Sequence, residues 1–201
     1  WALYNLDPGG IDATLFHMDG DIFGKVIDGW YNVDTLAHIT AIQGSAHDDT
    51  LTLNSDGRFE GTWIFEGGAG DDTLYGDSDD LVVASYAGDP NADGVVVALD
   101  GGSRPGEGWA QDGYGNMDYL YDVRGVIGSD FADQIQGSSS DNLLIGNAGD
   151  DLLNGVAGKN RLIGGQGNDS LDGGDVHGNN TAVYSDDPGR ITANIEYNAL
   201  D

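Results

Sequence analysis

Residues 128–172 read GSDFADQIQ, GSSSDNLLI, GNAGDDLLN, GVAGKNRLI and GGQGNDSLD, five consecutive nine-residue units without a gap. Each unit opens on glycine and carries an apolar residue at its eighth place. A six-residue turn, closed by Asp or Asn, leads into three residues, which are too few for a helix. Glycine permits the positive φ that such turns use, and one apolar side chain alternates with polar neighbours as in a strand. The period therefore predicts a chain of turns and short strands.

These units resemble the calcium-binding nonapeptide repeat GGxGxDxUx of the RTX (repeats-in-toxin) family. Residues 67–75 (GGAGDDTLY) and 164–172 (GGQGNDSLD) match the full pattern. The resemblance implies an all-β fold made of parallel β-roll modules in tandem, each with short lead-in strands. In this calcium-bound β-solenoid, successive strands fall alternately on two facing sheets, so one full turn takes two units. Calcium is then expected between turns that stack on the same side.

Composition favours a thin solenoid that needs cations. Glycine supplies 34 of 201 residues, and the apolar residues are scattered singly, which suits a narrow core built by stacked repeats. Asp and Glu number 35 against 7 Lys and Arg, a formal charge of −28, so self-repulsion opposes folding without bound cations. With no cysteine, metal is the remaining cross-link.

The same charge excludes two classes of partner. Nucleic acid and anionic membrane surfaces both require basic patches, which this chain lacks. No apolar run approaches the roughly 20 residues of a membrane-spanning helix, so membrane insertion is not expected.

A longer repeat is superimposed on the short one. A shift of 84 residues places residues 10–51 on residues 94–135 without a gap. The tags YNLDP, YAGDP and YSDDP, at residues 4–8, 86–90 and 184–188, mark three related starts. Because the chain opens at Trp1 with no start methionine, we expect it to be a piece of a longer polypeptide.

The duplication predicts two modules and the beginning of a third. The proposed bounds are residues 1–85 for the first module (lead-in strands 4–43, β-roll 44–85), 86–183 for the second (lead-in strands 86–127, β-roll 128–183) and 184–201 for the truncated third.

The resemblance also implies a set of metal ligands. In the family, calcium is held by sixth-place Asp carboxylates and by backbone carbonyls near the first and third places, and stacked turns together supply the six to eight oxygens that calcium takes. Carried over to this chain, the carboxylates are those of Asp49, Asp72, Asp133, Asp151 and Asp169. The carbonyls are those of Gly44, Ala46, Gly67, Ala69, Gly128, Asp130, Gly146, Ala148, Gly164 and Gln166.

Parity decides which edge of the roll binds metal. Along residues 128–172 the sixth places read Asp133, Asn142, Asp151, Asn160 and Asp169. Alternate units lie on opposite sides, so the aspartates share one edge and the asparagines the other. An Asn oxygen does not balance a divalent charge, and Lys159 adds a cation to one of those turns. We predict about three or more calcium ions, between the pairs Asp49 and Asp72, Asp133 and Asp151, and Asp151 and Asp169, with a weak or empty opposite edge.

Other candidates remain open. One repeated group of oxygen side chains could hold a further cation or shape a turn through side-chain to backbone hydrogen bonds; its members are Asp28, Asn32, Asp34, Asp112, Asn116 and Asp118. Trp30 and Tyr114, equivalent in the two modules, are expected in the core of the lead-in strands. Trp63 lies in an irregular stretch of the first roll. If exposed, it could stack on a sugar ring or on another protein; the other interpretation is that it covers an open end of the roll.

No catalytic constellation stands out: the sequence has no G-x-S-x-G elbow and no paired histidines at zinc spacing, so we predict no enzymatic activity. The resemblance favours a structural, calcium-binding module of a secreted or cell-surface bacterial protein. Export by type I secretion would deliver an unfolded chain that folds on calcium outside the cell. Two alternatives stay open: a polysaccharide-binding accessory module, and a self-assembling building block of an adhesin, surface layer or filament that contacts identical neighbouring modules.

Overall fold

The computed structural model describes residues 1–57, 61–90, 93–104, 106–175 and 179–184, and these residues form nineteen strands and no helix. The strands are β1 (Ala2–Leu3), β2 (Asp12–Met18), β3 (Asp21–Ile27), β4 (Val33–Ala37), β5 (Ala41–Gln43), β6 (Thr50–Ser55), β7 (Thr62–Glu66), β8 (Thr73–Tyr75), β9 (Leu81–Ser85), β10 (Val96–Ala98), β11 (Glu107–Gln111), β12 (Met117–Tyr121), β13 (Gly125–Ile127), β14 (Gln134–Gln136), β15 (Leu143–Ala148), β16 (Leu152–Asn154), β17 (Arg161–Gln166), β18 (Ser170–Asp172) and β19 (Thr181–Ala182). Most of the predicted third module, residues 185–201, lies outside the described residues.

Two sheets contain all of these strands. An eight-stranded sheet has the order β1-β5-β7-β9-β13-β15-β17-β19, and an eleven-stranded sheet has the order β18-β16-β14-β10-β11-β12-β8-β6-β2-β3-β4. From β13 onward, consecutive strands alternate between the sheets, and neighbours within a sheet are parallel. Leu144 thus pairs with Leu162, two units further along the chain. The predicted all-β parallel roll with two units per turn is confirmed.

A thin line of apolar side chains holds the sheets together. The eighth-place residues Ile135, Leu144, Leu153 and Leu162 are at most 2% exposed. Each unit buries one apolar side chain from its strand, because residues alternate between the two faces of a strand. Each fully buried leucine contributes about 2 kcal/mol of transfer free energy, so stacking many units is what makes such a narrow core sufficient.

Each lead-in segment adds an antiparallel excursion of three strands to the larger sheet. The excursions are β2-β3-β4 and β10-β11-β12, and they share one register, since Phe23 pairs with Ala37 and Glu107 with Tyr121, 84 residues later in each case. Strand β12 also pairs in parallel with β8 of the first roll, and β10 with β14 of the second. Both sheets therefore run without a break across the module boundary proposed at residue 85.

Two expectations about aromatic side chains are wrong. Trp63 is fully buried in β7, 5.8 Å from the ring of His17, because residues 62–66 form an inner strand between β5 and β9. It is neither exposed nor a cover for an open end. Trp30 and Tyr114 are 60% and 49% exposed, since they lie in the turns that precede β4 and β12 and not in the core.

Candidate metal centre

The sixth-place aspartates form a ladder along one edge of the solenoid. The backbone N–H of Asp133 donates to Oδ1 of Asp151 at 2.9 Å, and that of Asp151 donates to Oδ1 of Asp169 at 3.1 Å. In the first roll, the N–H of Asp49 donates to Oδ1 of Asp72 at 2.8 Å. The structure therefore brings these five carboxylates to one edge of the solenoid, in stacked turns within each roll.

The lead-in strands supply the first step of each ladder. The N–H of Ile11 donates to Asp49 Oδ1 at 2.6 Å, and the N–H of Val95 donates to Asp133 Oδ1 at 2.8 Å. Backbone amides thus engage one carboxylate oxygen in each stacked turn. The surroundings of the second oxygen, Oδ2, differ from turn to turn.

In two of these aspartates the second oxygen has no partner in the part of the chain that the structure describes. Oδ2 of Asp72 and Oδ2 of Asp151 are buried and accept no hydrogen bond from any described residue. An unpaired buried carboxylate oxygen is costly unless a proton or a cation compensates it. Burial, with repulsion from neighbouring carboxylates, raises the pKa of Asp72 to about 9 and that of Asp151 to about 7.

The first-place glycines leave room beside these oxygens. A Cβ built on Gly146 would overlap Asp151 Oδ2 and lie 2.6 Å from the carbonyl oxygen of Gly164. A Cβ on Gly128 would overlap Asp133 Oδ2 and lie 2.9 Å from the carbonyl oxygen of Gly146. A carboxylate oxygen and a carbonyl oxygen of the next stacked turn therefore converge on a space that any side chain would fill.

The other first-place glycines repeat the arrangement. Gly44 lies against Asp49 Oδ2 and the carbonyl of Gly67, while Gly67 lies against Asp72 Oδ2. Gly164 in turn lies against Asp169 Oδ2, also close enough that a Cβ would overlap it.

The third-place residues lie in the turns of the same edge or at the strand ends that lead into them. Ala148 and Gln166 end β15 and β17, where they pair with each other. The remaining three, Ala46, Ala69 and Asp130, precede β6, β8 and β14. Their carbonyls as metal ligands stay a prediction.

This donor set fits calcium and not a transition metal. It consists of carboxylate and carbonyl oxygens, which hard cations prefer. No group of three or more His, Cys, Asp or Glu side chains converges on a point within the described ranges, so a cation bound at this edge would need backbone carbonyls among its ligands. The carbonyl of Gly128 already accepts a hydrogen bond from Nδ2 of Asn147 at 2.7 Å, which leaves its second lone pair for a cation.

The opposite edge carries the same ladder with amides in place of carboxylates. The N–H of Asn142 donates to Asn160 Oδ1 at 2.9 Å, and the N–H of Asn160 donates to Asn180 Oδ1 at 2.8 Å. Nδ2 of Asn160 occupies the place of the unpartnered Asp Oδ2, and it donates to the carbonyls of Ala157 (2.9 Å) and Gly173 (3.1 Å). Amide hydrogens thus satisfy carbonyls that on the other edge face a carboxylate.

Asn142 is oriented the other way, because its Oδ1 lies beside Gly137 and accepts the N–H of Ser138 at 2.7 Å. Its Nδ2 donates to the carbonyl of Arg124 at 3.2 Å and to Oγ of Ser138 at 3.1 Å. In the second roll this edge is therefore satisfied by the protein's own hydrogen bonds. In the first roll the same edge holds Asp80, just before β9, whose Oδ2 is buried and has no partner among the described residues.

Sequence reasoning missed a further rung of the first ladder. Asp118 lies in β12, is 1% exposed, and accepts the N–H of Asp72 on Oδ1 at 3.0 Å and the hydroxyl of Tyr86 on Oδ2 at 3.1 Å. Burial, opposed by the hydrogen bond from Asp72, raises its pKa to about 7. The signal was present in residues 118–121, DYLY, which repeat the D-x-U-x half of the nonapeptide pattern.

The second-place serines were also missed. Ser129 donates its N–H to Asp133 Oδ2 and its hydroxyl to Asp133 Oδ1, both at 2.8 Å. Ser45 makes the same two bonds to Asp49. Serine at the second place of the opening unit of both rolls was the available signal. These bonds explain why Oδ2 of Asp49 and Asp133 is partnered.

The repeated oxygen cluster near the excursions divides into two roles. Oδ1 of Asp28 accepts the N–H groups of Trp30 (3.0 Å) and Asn32 (2.7 Å), and Oδ1 of Asp112 accepts those of Tyr114 (3.0 Å) and Asn116 (2.6 Å). These bonds are those of a turn. Oδ2 of Asp112 is nevertheless buried and has no partner among the described residues, so a further cation there stays a prediction. Asp34, like Asp118, accepts a tyrosine hydroxyl, that of Tyr4, at 3.1 Å.

Comparison with known proteins agrees with this geometry. The family model described as RTX calcium-binding nonapeptide repeat (4 copies) matches residues 64–81, 127–160 and 154–175. No curated protein matches the chain. In the part of the chain that the structure describes, no helix is long and apolar enough to cross a membrane. The matched segments contain the turns of Asp72, Asp133, Asp151 and Asp169, and the chain therefore carries RTX calcium-binding nonapeptide repeats on a parallel β-roll.

Proposed function

We propose that this chain is a calcium-dependent structural module of a secreted or cell-surface bacterial protein, and that it folds when its aspartate edge binds calcium outside the cell. RTX nonapeptide repeats are calcium-binding structural units of bacterial proteins. The observation that carries the proposal is the pair of buried, unpartnered Oδ2 atoms of Asp72 and Asp151, each beside a first-place glycine.

The proposed ligands act in pairs of stacked turns. Asp151 lies between Asp133 and Asp169, so its turn serves two positions, while Asp49 and Asp72 serve a third. Bound calcium would neutralise the negative charge of these carboxylates. The backbone amides fix each carboxylate through Oδ1, and the first-place glycines keep the space beside Oδ2 open.

Linkage explains why such a module folds only in a calcium-rich compartment. A cation that binds the folded form alone stabilises it in proportion to the logarithm of its concentration. At the low free calcium of a cytosol, repulsion in a chain of charge −28 dominates, and an unfolded chain suits type I secretion. At about millimolar calcium, sites of the extracellular affinity class fill.

A calcium titration tests the proposal. We expect the far-ultraviolet circular dichroism of the full chain to change from coil to strand as calcium is added, and to revert with chelator. Magnesium at the same concentration is the control, because it demands tighter octahedral geometry and keeps its waters. A chain that retains its strand signal in chelator at neutral pH contradicts the proposal.

The two alternatives differ in what supports them. Polysaccharide binding rested on an exposed Trp63, and that side chain is fully buried, so no described feature favours it. RTX repeats are typically structural, and we propose that this chain has no catalytic activity. Assembly with identical neighbours has independent support in the edges of the larger sheet.

A further inference from the structure

Strand β4 ends the eleven-stranded sheet, and its outer edge pairs with no strand among the described residues. Four of its five residues, including Val33 and Asp34, are exposed, and Leu36 is only partly covered. Trp30 and Tyr31, in the preceding turn, are 60% and 89% exposed. An exposed strand edge is a template for pairing with another strand.

The equivalent edge of the second excursion, that of β12, is covered by another strand. Strand β12 stands 84 residues after β4, in the same antiparallel register with its own excursion, and β8 of the first roll pairs with it in parallel. The N–H of Tyr119 donates to the carbonyl of Asp72 at 2.8 Å, and the N–H of Gly76 donates to the carbonyl of Tyr121 at 2.7 Å. The rings of Tyr75 and Tyr121 stack at 4.8 Å.

Equivalent side chains are buried in β12 and more exposed in β4. Asp118 and Leu120 in β12 are each 1% exposed under β8. Their counterparts in β4, Asp34 and Leu36, are exposed and half-buried, respectively. The residue types are identical, so the missing cover accounts for the exposure.

The backbone of β4 is nevertheless already set for pairing. His38, just after β4, has a φ of 57°, and Asp122, just after β12, has a φ of 51°. A tyrosine hydroxyl holds Oδ2 of the aspartate at 3.1 Å in both places, from Tyr4 to Asp34 and from Tyr86 to Asp118. Oδ1 of Asp118 then accepts an amide of the covering roll, and Oδ1 of Asp34 accepts none among the described residues.

A strand suited to this edge lies at the other end of the same sheet. Strand β18 ends the sheet opposite β4, and its outer edge is also unpaired within the described ranges. Strand β18 closes residues 164–172, which match the full nonapeptide pattern. Strand β8, which covers β12, likewise closes residues 67–75, and these match the full pattern too. Asp169, before β18, corresponds to Asp72, before β8.

The smaller sheet offers matching ends. Thr181 in β19 pairs with Arg161, as Leu81 in β9 pairs with Thr62, so β19 corresponds to the first half of β9. Ala2 in β1 pairs with β5 as Ala84, in the second half of β9, pairs with β13. Strand β19 at the end of one copy and β1 at the beginning of the next would therefore together occupy one strand position, equivalent to β9.

From these correspondences we infer that β4 is the docking edge for β18 of a second copy of this chain, stacked head to tail. The contact repeats the one that β8 makes with β12, and it extends both sheets. It goes beyond the proposed function, because a calcium-loaded module need not bind another. Such a heterologous contact does not close on itself and propagates as a filament.

A tandem fusion tests the docking without a concentration limit. Residues 1–183 of one copy are joined directly to residues 2–201 of a second. Val183 is then followed by Ala2, as Val83 is followed by Ala84 in β9. Hydrogen exchange of the segment containing β4 is followed by mass spectrometry in about millimolar calcium. We expect two equal populations, one as fast as in the single chain and one slower by at least about tenfold. A single fast population would overturn the inference.

One substitution placed in either copy gives a matched pair of controls. Thr35→Pro removes the amide whose counterpart, in Tyr119, donates to the covering roll, and proline is tolerated where an edge amide faces solvent. With proline in the first copy, the unsubstituted β4 belongs to the second copy and stays slow. With proline in the second copy, the unsubstituted β4 is uncovered and fast. Equal exchange of the unsubstituted segment in both variants, with strand circular dichroism retained, would contradict docking.

Discussion

Asp151 and Asn160 occupy equivalent positions on opposite edges of the second roll, and Oδ1 of each accepts a backbone N–H from the preceding turn of its own ladder. They differ in the second atom of the side-chain head. Nδ2 of Asn160 donates to two carbonyls, whereas Oδ2 of Asp151 has no partner among the described residues. One backbone thus supports an edge closed by hydrogen bonds and an edge that requires positive charge.

The largest expected effect comes from making the aspartate edge resemble the other. Asp151→Asn removes a carboxylate from two proposed calcium positions, so the calcium concentration at half-folding should rise at least about tenfold. In chelator, the same variant should be more folded than the parent, because an amide replaces the unpartnered oxygen. Calcium titrations followed by circular dichroism measure both effects.

Asp150→Asn is the control for that variant. It removes one negative charge from the adjacent, exposed side chain, whose Oδ1 accepts the N–H of Asn168 at 2.8 Å. Equal shifts in the calcium midpoint for the two variants would mean that net charge matters and the position of the carboxylate does not.

The converse substitution should break the asparagine edge. Asn160→Asp replaces the donor to Ala157 and Gly173 with an acceptor, which leaves buried oxygens facing each other and costs about 2 kcal/mol of folding free energy. The loss should be largest at low calcium and smaller as calcium rises. Urea unfolding at several calcium concentrations measures it, with the exposed Asn179→Asp as control. A variant as stable as that control at low calcium would count against the assigned role of Nδ2.

Acidity should separate the edges of the second roll further, because its buried carboxylates, those of Asp133 and Asp151, lie on the aspartate edge. Burial raises the pKa of Asp72 to about 9 and those of Asp118 and Asp151 to about 7, from an ordinary value near 4. A raised pKa means that the metal-free folded form binds protons more tightly than the unfolded chain. Its stability is therefore fully present below about pH 4 and is lost as pH rises through 7 to 9.

The measurement is the folded fraction in chelator at pH 5 and pH 8, from circular dichroism. More folded protein is expected at pH 5, while the calcium midpoint should be higher at pH 5, because protons compete for the same oxygens. A larger folded fraction in chelator at pH 8 would contradict the raised pKa values. In Asp151→Asn the dependence should be weaker.

The smallest effect concerns the serines that support each ladder. Ser129→Ala removes the hydroxyl bond to Asp133 Oδ1 and should cost about 1 kcal/mol, with a corresponding rise in the calcium midpoint. Ser138→Ala, at the same place on the asparagine edge, removes the acceptor of Asn142 Nδ2. It should raise the calcium midpoint only by the amount that its loss of stability toward urea accounts for. A larger rise of that midpoint in Ser138→Ala would show that both edges bind calcium.

The nine-residue period carried most of the fold because it acts locally. One apolar residue per unit and a glycine turn determine where each strand begins. The family resemblance implied two units per turn, and the separation of Asp151 from Asn160 then followed from counting. The irregular stretch around Trp63 broke the count, and a strand there went unrecognised. Asp118 was missed as a rung because its partner, Asp72, is distant in sequence and the pairing depends on how an antiparallel excursion returns to the first roll.

The spacing of the ladders also bears on how the chain folds. Successive rungs of the second roll join residues 18 positions apart, whereas the rung from Asp72 to Asp118 joins residues 46 apart. Closing the longer loop costs about 0.8 kcal/mol more in chain entropy. We therefore expect structure to form within each roll before the two rolls join across β10 to β12. That junction, and not the turns, is where a kinetic intermediate with one formed roll should accumulate.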